Sequence, residues 1–105
     1  MADKTQLLKG LMDGIILKII SNEETYGYEI YSKLNAIGLT DFAEGSLYPL
    51  LLRLEKRGLI IGRKKTSLSG PDRKYYSLSE EGEKNLVQFK EAWDKISDAV
   101  NILWS

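Results

Sequence analysis

Glu44-Gly45-Ser46-Leu47-Tyr48-Pro49-Leu50-Leu51-Leu52-Arg53-Leu54-Glu55-Lys56-Arg57-Gly58-Leu59-Ile60-Ile61-Gly62-Arg63-Lys64-Lys65-Thr66 changes its hydrophobic period partway along. In the first half Leu47, Leu50, Leu51 and Leu54 recur every three or four residues, which marks one apolar face of a helix. That helix is expected to start around Glu44 to Ser46. Pro49 is placed in its first turn, where a missing N–H matters least, and Gly58 supplies a left-handed stop. Beyond Leu59 the pattern reads as a strand from Ile60 to Thr66. A second strand is expected from Lys74 to Leu78, after the turn-rich tip Ser67-Leu68-Ser69-Gly70-Pro71-Asp72-Arg73. A helix runs straight into a basic β-hairpin.

Upstream, Thr25 is expected to N-cap a short helix through Tyr28, Ile30, Tyr31 and Leu34, ending near Ala36-Ile37-Gly38. The connection Leu39-Thr40-Asp41-Phe42 then leads to the helix already described. Before it, Leu7, Leu8, Leu11, Met12, Ile15, Ile16, Ile19 and Ile20 form a broad stripe and predict one helix from about Gln6 to Ile20. Gly10 and Gly14 inside it each cost about 0.8–1 kcal/mol relative to Ala, so a close neighbour is expected on that face. Downstream, Ser79 followed by Glu80 and Glu81 is a helix start. Leu86, Phe89, Trp93, Ile96, Val100 and Leu103 then follow a heptad seam. The expected fold is mainly α with a small β-hairpin wing: a winged helix-turn-helix over residues 1–78, and a long C-terminal dimerisation helix over 79–105 packed with the first helix as one compact unit. The seam is too long to be buried within one small chain, so a second copy is its expected partner.

Composition narrows the function. The 105 residues are 43% apolar and 29% charged, with no Cys and no His. That length suits a single domain. Without Cys there is no disulfide framework or thiolate nucleophile. The residues that supply most zinc ligands, and the usual general base near neutral pH, are absent. No catalytic centre, metal or cofactor is expected. The most apolar stretch, Leu11 to Ile20, is broken by Asp13 and Lys18, far short of the ~20 residues of a membrane span. Met1-Ala2-Asp3-Lys4 lacks the features of a secretory signal. A cytoplasmic protein with no membrane partner is expected.

Net charge is zero but unevenly spread. Residues 1–52 sum to −3 and residues 75–105 to −3, whereas Arg53 to Lys74 hold eight Lys or Arg against Glu55 and Asp72. Such an island localises positive potential and favours a polyanion. In a winged helix the third helix enters the major groove while the wing lies along the backbone or minor groove. Ser46 and Arg53, with Pro49, Lys56 and Arg57, fall on that helix's outer side. Lys64, Lys65, Arg73 and Lys74 charge the wing, and Gly70 with Pro71 shapes its tip. Arg57 and Lys56 also suit the helix C-terminal dipole. Tyr48 is expected to reach a phosphate through its hydroxyl, because Leu47 and Leu50 already occupy the core face. Tyr26 suits a phosphate contact or a packing role equally. Tyr75 and Tyr76 alternate along a strand, so at least one belongs to the core. The expected partner is double-stranded DNA. The rival reading is a winged-helix module that turns the same basic face to an acidic protein.

Tyr26-Gly27-Tyr28-Glu29-Ile30, Glu44 to Glu55, Gly58-Leu59-Ile60, and Gly70-Pro71-Asp72-Arg73-Lys74-Tyr75-Tyr76-Ser77-Leu78-Ser79-Glu80-Glu81-Gly82 together resemble PadR-type transcriptional regulators. The similarity runs from about Leu7 to Leu103, and the single helix after the wing resembles the short subfamily. The resemblance implies a homodimeric operator-binding protein, usually a repressor, often released by a small molecule. It also implies that the last helix packs with helix 1 of the partner. Glu91-Ala92-Trp93 resembles the place where drug-responsive relatives sandwich flat ligands between symmetry-related aromatics. Leu7, Gly10, Asp13 and Gly14 would lie opposite, the glycines leaving a void and Asp13 giving it a negative wall. A planar aromatic effector is the implied ligand, and plain dimer packing of Trp93 is compatible with it.

Overall fold

The computed structural model describes residues 4–40, 43–66 and 70–105. Its elements in chain order are α1 (Lys4–Leu8), α2 (Met12–Asn22), β1 (Thr25–Tyr26), α3 (Gly27–Ala36), α4 (Glu44–Lys56), β2 (Ile60–Lys65), β3 (Arg73–Leu78) and α5 (Glu80–Ile102). This is a winged helix-turn-helix followed by a long helix, as expected. The three strands form one antiparallel sheet in the order β1-β3-β2, with Ile60 opposite Leu78, Lys65 opposite Arg73 and Tyr26 opposite Tyr75. Asp41–Phe42 and Ser67–Ser69, parts of the expected connection and wing tip, lie outside the described residues.

The core sits where α2, α3, α4 and the sheet converge. Ile16, Leu17, Ile30, Leu34, Leu47, Leu51 and Leu54 are fully buried, with Ile20, Ile60 and Tyr76 beside them. Tyr76 is thus the core member of the tyrosine pair. The turns after α3 and α4 are set by two left-handed glycines, Gly38 (φ 92°) and Gly58 (φ 77°). After α4 the Leu59 N–H returns to the Leu54 carbonyl and the Gly58 N–H to that of Glu55, both at 3.0 Å. Gly38 and Leu39 repeat this arrangement on Asn35 and Leu34. Each is a Schellman stop, after which Leu59 is buried and Leu39 partly buried against the core.

Four expectations are corrected. The single helix from Gln6 to Ile20 is two helices, α1 and α2, parted at Lys9–Leu11. Gly10 and Lys9 are exposed there, and among the described residues nothing lies within 4 Å of a Cβ at Gly10 to offset the glycine's backbone entropy. Thr25 is not an N-cap: it lies in β1, and its Oγ1 donates to Glu29 Oε1 at 2.8 Å. Tyr26 occupies the cap position of α3 without a side-chain cap bond. Pro49 falls in the second turn of α4, so the Gly45 carbonyl loses its helical donor; both residues are exposed and water can serve it. The wing strands are displaced by one residue at each tip, β2 ending at Lys65 and β3 beginning at Arg73.

α5 starts as expected. Ser79 Oγ accepts from the Gly82 N–H at 3.0 Å and donates to the Gly58 carbonyl at 2.6 Å, which ties the last helix to the stop of α4. Buried Gly14 lies directly beneath the Phe89 ring, so the close neighbour predicted for that glycine is α5 of the same chain. Leu86 also packs against the core. Further along α5, Trp93, Ile96, Val100 and Leu103 are all exposed, the last by 79%.

Candidate nucleic-acid interface

α4 buries Leu47, Leu51 and Leu54, and this turns Ser46, Tyr48, Pro49, Leu52, Arg53 and Lys56 outward. Beside it, the N-terminus of α3 and strand β3 of the wing enclose a cleft of about 510 Å³ lined by Tyr26, Gly27, Tyr28, Tyr48, Asp72, Arg73, Lys74 and Tyr76. The Tyr48 ring rests against Gly27, where a Cβ would come within 2.7 Å of Cε1. Its hydroxyl donates to Glu44 Oε1 at 3.2 Å. Burial, and then the Glu44 carboxylate, push that hydroxyl above its ordinary pKa, so it stays protonated and able to donate.

The basic island is partly neutralised from within. Asp13 on α2 receives Arg53 at 2.6 Å and Arg57 at 3.1 Å. Glu24, in the turn before β1, binds Lys65 and meets Arg63 at 3.5 Å. The hydrogen bond from Lys65 is the main cause holding the Glu24 carboxyl below its ordinary pKa. Glu55 binds Lys74 at 2.6 Å, and that bond raises the lysine's pKa. Gly62 leaves the space for this last pair, since a Cβ there would strike the Lys74 side chain. The sequence pattern shows none of these pairings, because the partners lie 19 to 44 residues apart. Arg73 sits over the Tyr26 ring, 4.5 Å from its centroid. Among the described residues, Lys56, Lys64 and Arg73 meet no carboxylate.

The expected residues therefore divide. Tyr26, Tyr48, Arg73 and Lys74 come together at the cleft, with Ser46 exposed on the adjoining helix and Lys64 exposed on β2. Gly70 is exposed at the wing tip. Arg53, Lys65 and Lys74 already hold acids, so any phosphate must compete for them. Tyr75, given no role from the sequence, stacks edge-on against Tyr26 with centroids 5.2 Å apart.

On the opposite side, Trp93 joins Phe89, Leu8, Leu11, Ile15 and Leu39 around an apolar cavity of about 300 Å³. The residues expected opposite Trp93 do not line it within the protomer. Leu7 and Gly10 are exposed, Gly14 is covered by Phe89, and Asp13 faces α4. Glycine at 14 thus makes room for Phe89 and leaves no void, and the Asp13 carboxylate is neutralised by two arginines. Among the described residues no three His, Cys, Asp or Glu cluster as metal ligands, and no helix is long and apolar enough to cross a membrane.

A helix pair with an exposed polar face on its second helix, flanked by a cationic hairpin, defines a winged helix-turn-helix DNA-binding protein. Comparison with known proteins makes this specific. The Transcriptional regulator PadR-like family matches residues 16–88. The crystal structure of a PadR-like transcriptional regulator from Bacillus cereus is 51% identical, with a TM-score of 0.87 over 95% of this chain and 97% of that one. A Streptococcus transcriptional regulator is 43% identical, with a TM-score of 0.84 over 97% and 100% of the two chains. An uncharacterised protein of Lysinibacillus sphaericus shares 28% identity across 94% of this chain and 93% of its own. The chain belongs to the PadR-like family of transcriptional regulators, which are DNA-binding proteins and not enzymes. Regulators of this family are generally dimeric.

Proposed function

We propose that this protein is a homodimeric, sequence-specific operator-binding repressor of the cytoplasm, released by a small planar aromatic effector. Residues 1–78 read the DNA, and residues 79–105 hold two copies together. The observation that carries the reading is the cleft between α3, α4 and the wing, where Tyr48 meets Lys74 and Arg73, the latter without an acid among the described residues, while Ser46 and Lys56 are exposed on α4 and Lys64 on β2. Ser46 and Arg53 reach base edges, Arg53 by exchanging Asp13 for DNA. Tyr48, Lys64, Lys65, Arg73 and Lys74 hold phosphates, Tyr26 packs beside them, and Gly70 lets the wing tip approach the backbone. The exposed ridge Trp93, Ile96, Val100 and Leu103, continued inward by Phe89 and Leu86, supports a self-complementary helix contact. The apolar cavity under Trp93 supports an aromatic ligand, flanked by Leu8, Leu11 and Ile15. Leu7 and Gly10, exposed on α1 and the turn after it, approach it from the partner.

Duplex binding measured against salt tests this reading. Lys64, Lys65, Arg73 and Lys74 of both protomers neutralise about eight phosphates and give a log–log slope near −7. Operator-like fragments, the upstream region of the protein's own coding sequence first among them, are expected to compete better than random duplex. Weak binding without sequence preference would favour the protein-interaction module.

A further inference from the structure

Tyr26 ends β1 and faces Tyr75 on β3. Each ring of this edge-to-face pair carries one wing cation: Arg73 lies 4.5 Å from the Tyr26 centroid, and Lys65 lies 4.7 Å from that of Tyr75. The two cations differ in what else holds them. Lys65 is also bound to Glu24, whereas Arg73 among the described residues is held by the ring alone. A carboxylate occupies the N–H donors that a phosphate would need. An aromatic face attracts the charge through its quadrupole and takes up no such donor. It therefore restrains a long, flexible side chain and leaves the guanidinium fork available for an incoming anion. Arg73 also lines the cleft beside α3 and α4, open to an anion that approaches the exposed face of α4.

We infer that Tyr26 is a positioning residue: its ring, steadied by Tyr75, holds the Arg73 guanidinium in place to receive a DNA phosphate. The inference rests on the proposed DNA binding and makes the ring of Tyr26, not its hydroxyl, the working part. The test is a double-variant cycle on duplex affinity, with salt slopes and thermal melts recorded for every protein. Tyr26→Phe is expected to bind within about twofold of wild type, and Tyr26→Leu to lose about three- to fivefold. Arg73→Ala is expected to flatten the slope by about 0.9 for each phosphate that the variant no longer neutralises. In the Arg73→Ala background, Tyr26→Leu is expected to cause no further loss. Should Tyr26→Leu not fold, Tyr26→Met, which keeps bulk without a π face, takes its place in the cycle. Equal losses for Phe and Leu would assign the role to the hydroxyl and overturn the inference. Additive losses in the cycle would reduce Tyr26 to a packing residue and overturn it too. In both cases salt-dependent binding by wild type would leave the proposed DNA binding standing. Absence of that binding would remove both.

Discussion

Gly82→Ala is expected to destabilise the protein although it improves helix propensity. Gly82 is buried in the first turn of α5, and a Cβ there would run into the backbone carbonyl oxygen of Leu59 and lie 3.0 Å from Leu78 Cδ1. The Leu59 oxygen cannot retreat freely, because it accepts the Ser79 N–H at 3.1 Å in the same junction that caps α5. Replacing an interior helix glycine by alanine gains at most about 1 kcal/mol. Forcing a methyl group into a packed contact costs about 1–3 kcal/mol, and loosening the Ser79 cap adds about 1 kcal/mol. The net loss is about 1–3 kcal/mol, or roughly 5–20 °C in Tm for a domain of this size. Circular dichroism melts at one fixed protein concentration read it, since dimerisation makes Tm concentration-dependent. Gly45→Ala is the control: nothing lies within 4 Å of a Cβ at that exposed helical site, so stability is expected to hold or rise by up to about 1 kcal/mol. A Gly82→Ala protein melting at or above wild type would refute the argument that backbone crowding sets the sign.

Two further outcomes concern the far side of the molecule. The double variant Val100→Glu, Leu103→Glu places charges on the exposed ridge of α5 and is expected to sediment as a monomer at micromolar concentration, where wild type sediments as a dimer; a monomeric wild type would end the dimer proposal. Flat aromatic cations are expected to quench tryptophan fluorescence in wild type and in a Trp104→Phe variant but not in Trp93→Ala, and to weaken operator binding by the factor with which the operator weakens theirs. Quenching that survives Trp93→Ala and vanishes in Trp104→Phe would place the ligand elsewhere.

Local chemistry made most of the architecture legible in the sequence. Leucines at helical spacing in α4, the left-handed Gly58, the alternation of Tyr75 and Tyr76 and the Ser79 cap act within a few residues, so a linear reading recovers them. The same reading failed where distant packing decides the outcome. Gly10 and Gly14 look alike in a helical stripe, yet Gly14 is held by the Phe89 ring while Gly10, with no such neighbour among the described residues, marks the break between α1 and α2. Thr25 has the chemistry of an N-cap, but pairing of β1 with β3 claims its backbone. Charge shows the difference most clearly. The sequence determined that eight cations cluster between Arg53 and Lys74. Only the tertiary structure decided which of them are already answered, because Asp13, Glu24 and Glu55 reach them from other elements, and an ion pair depends on distance in space and not on separation along the chain.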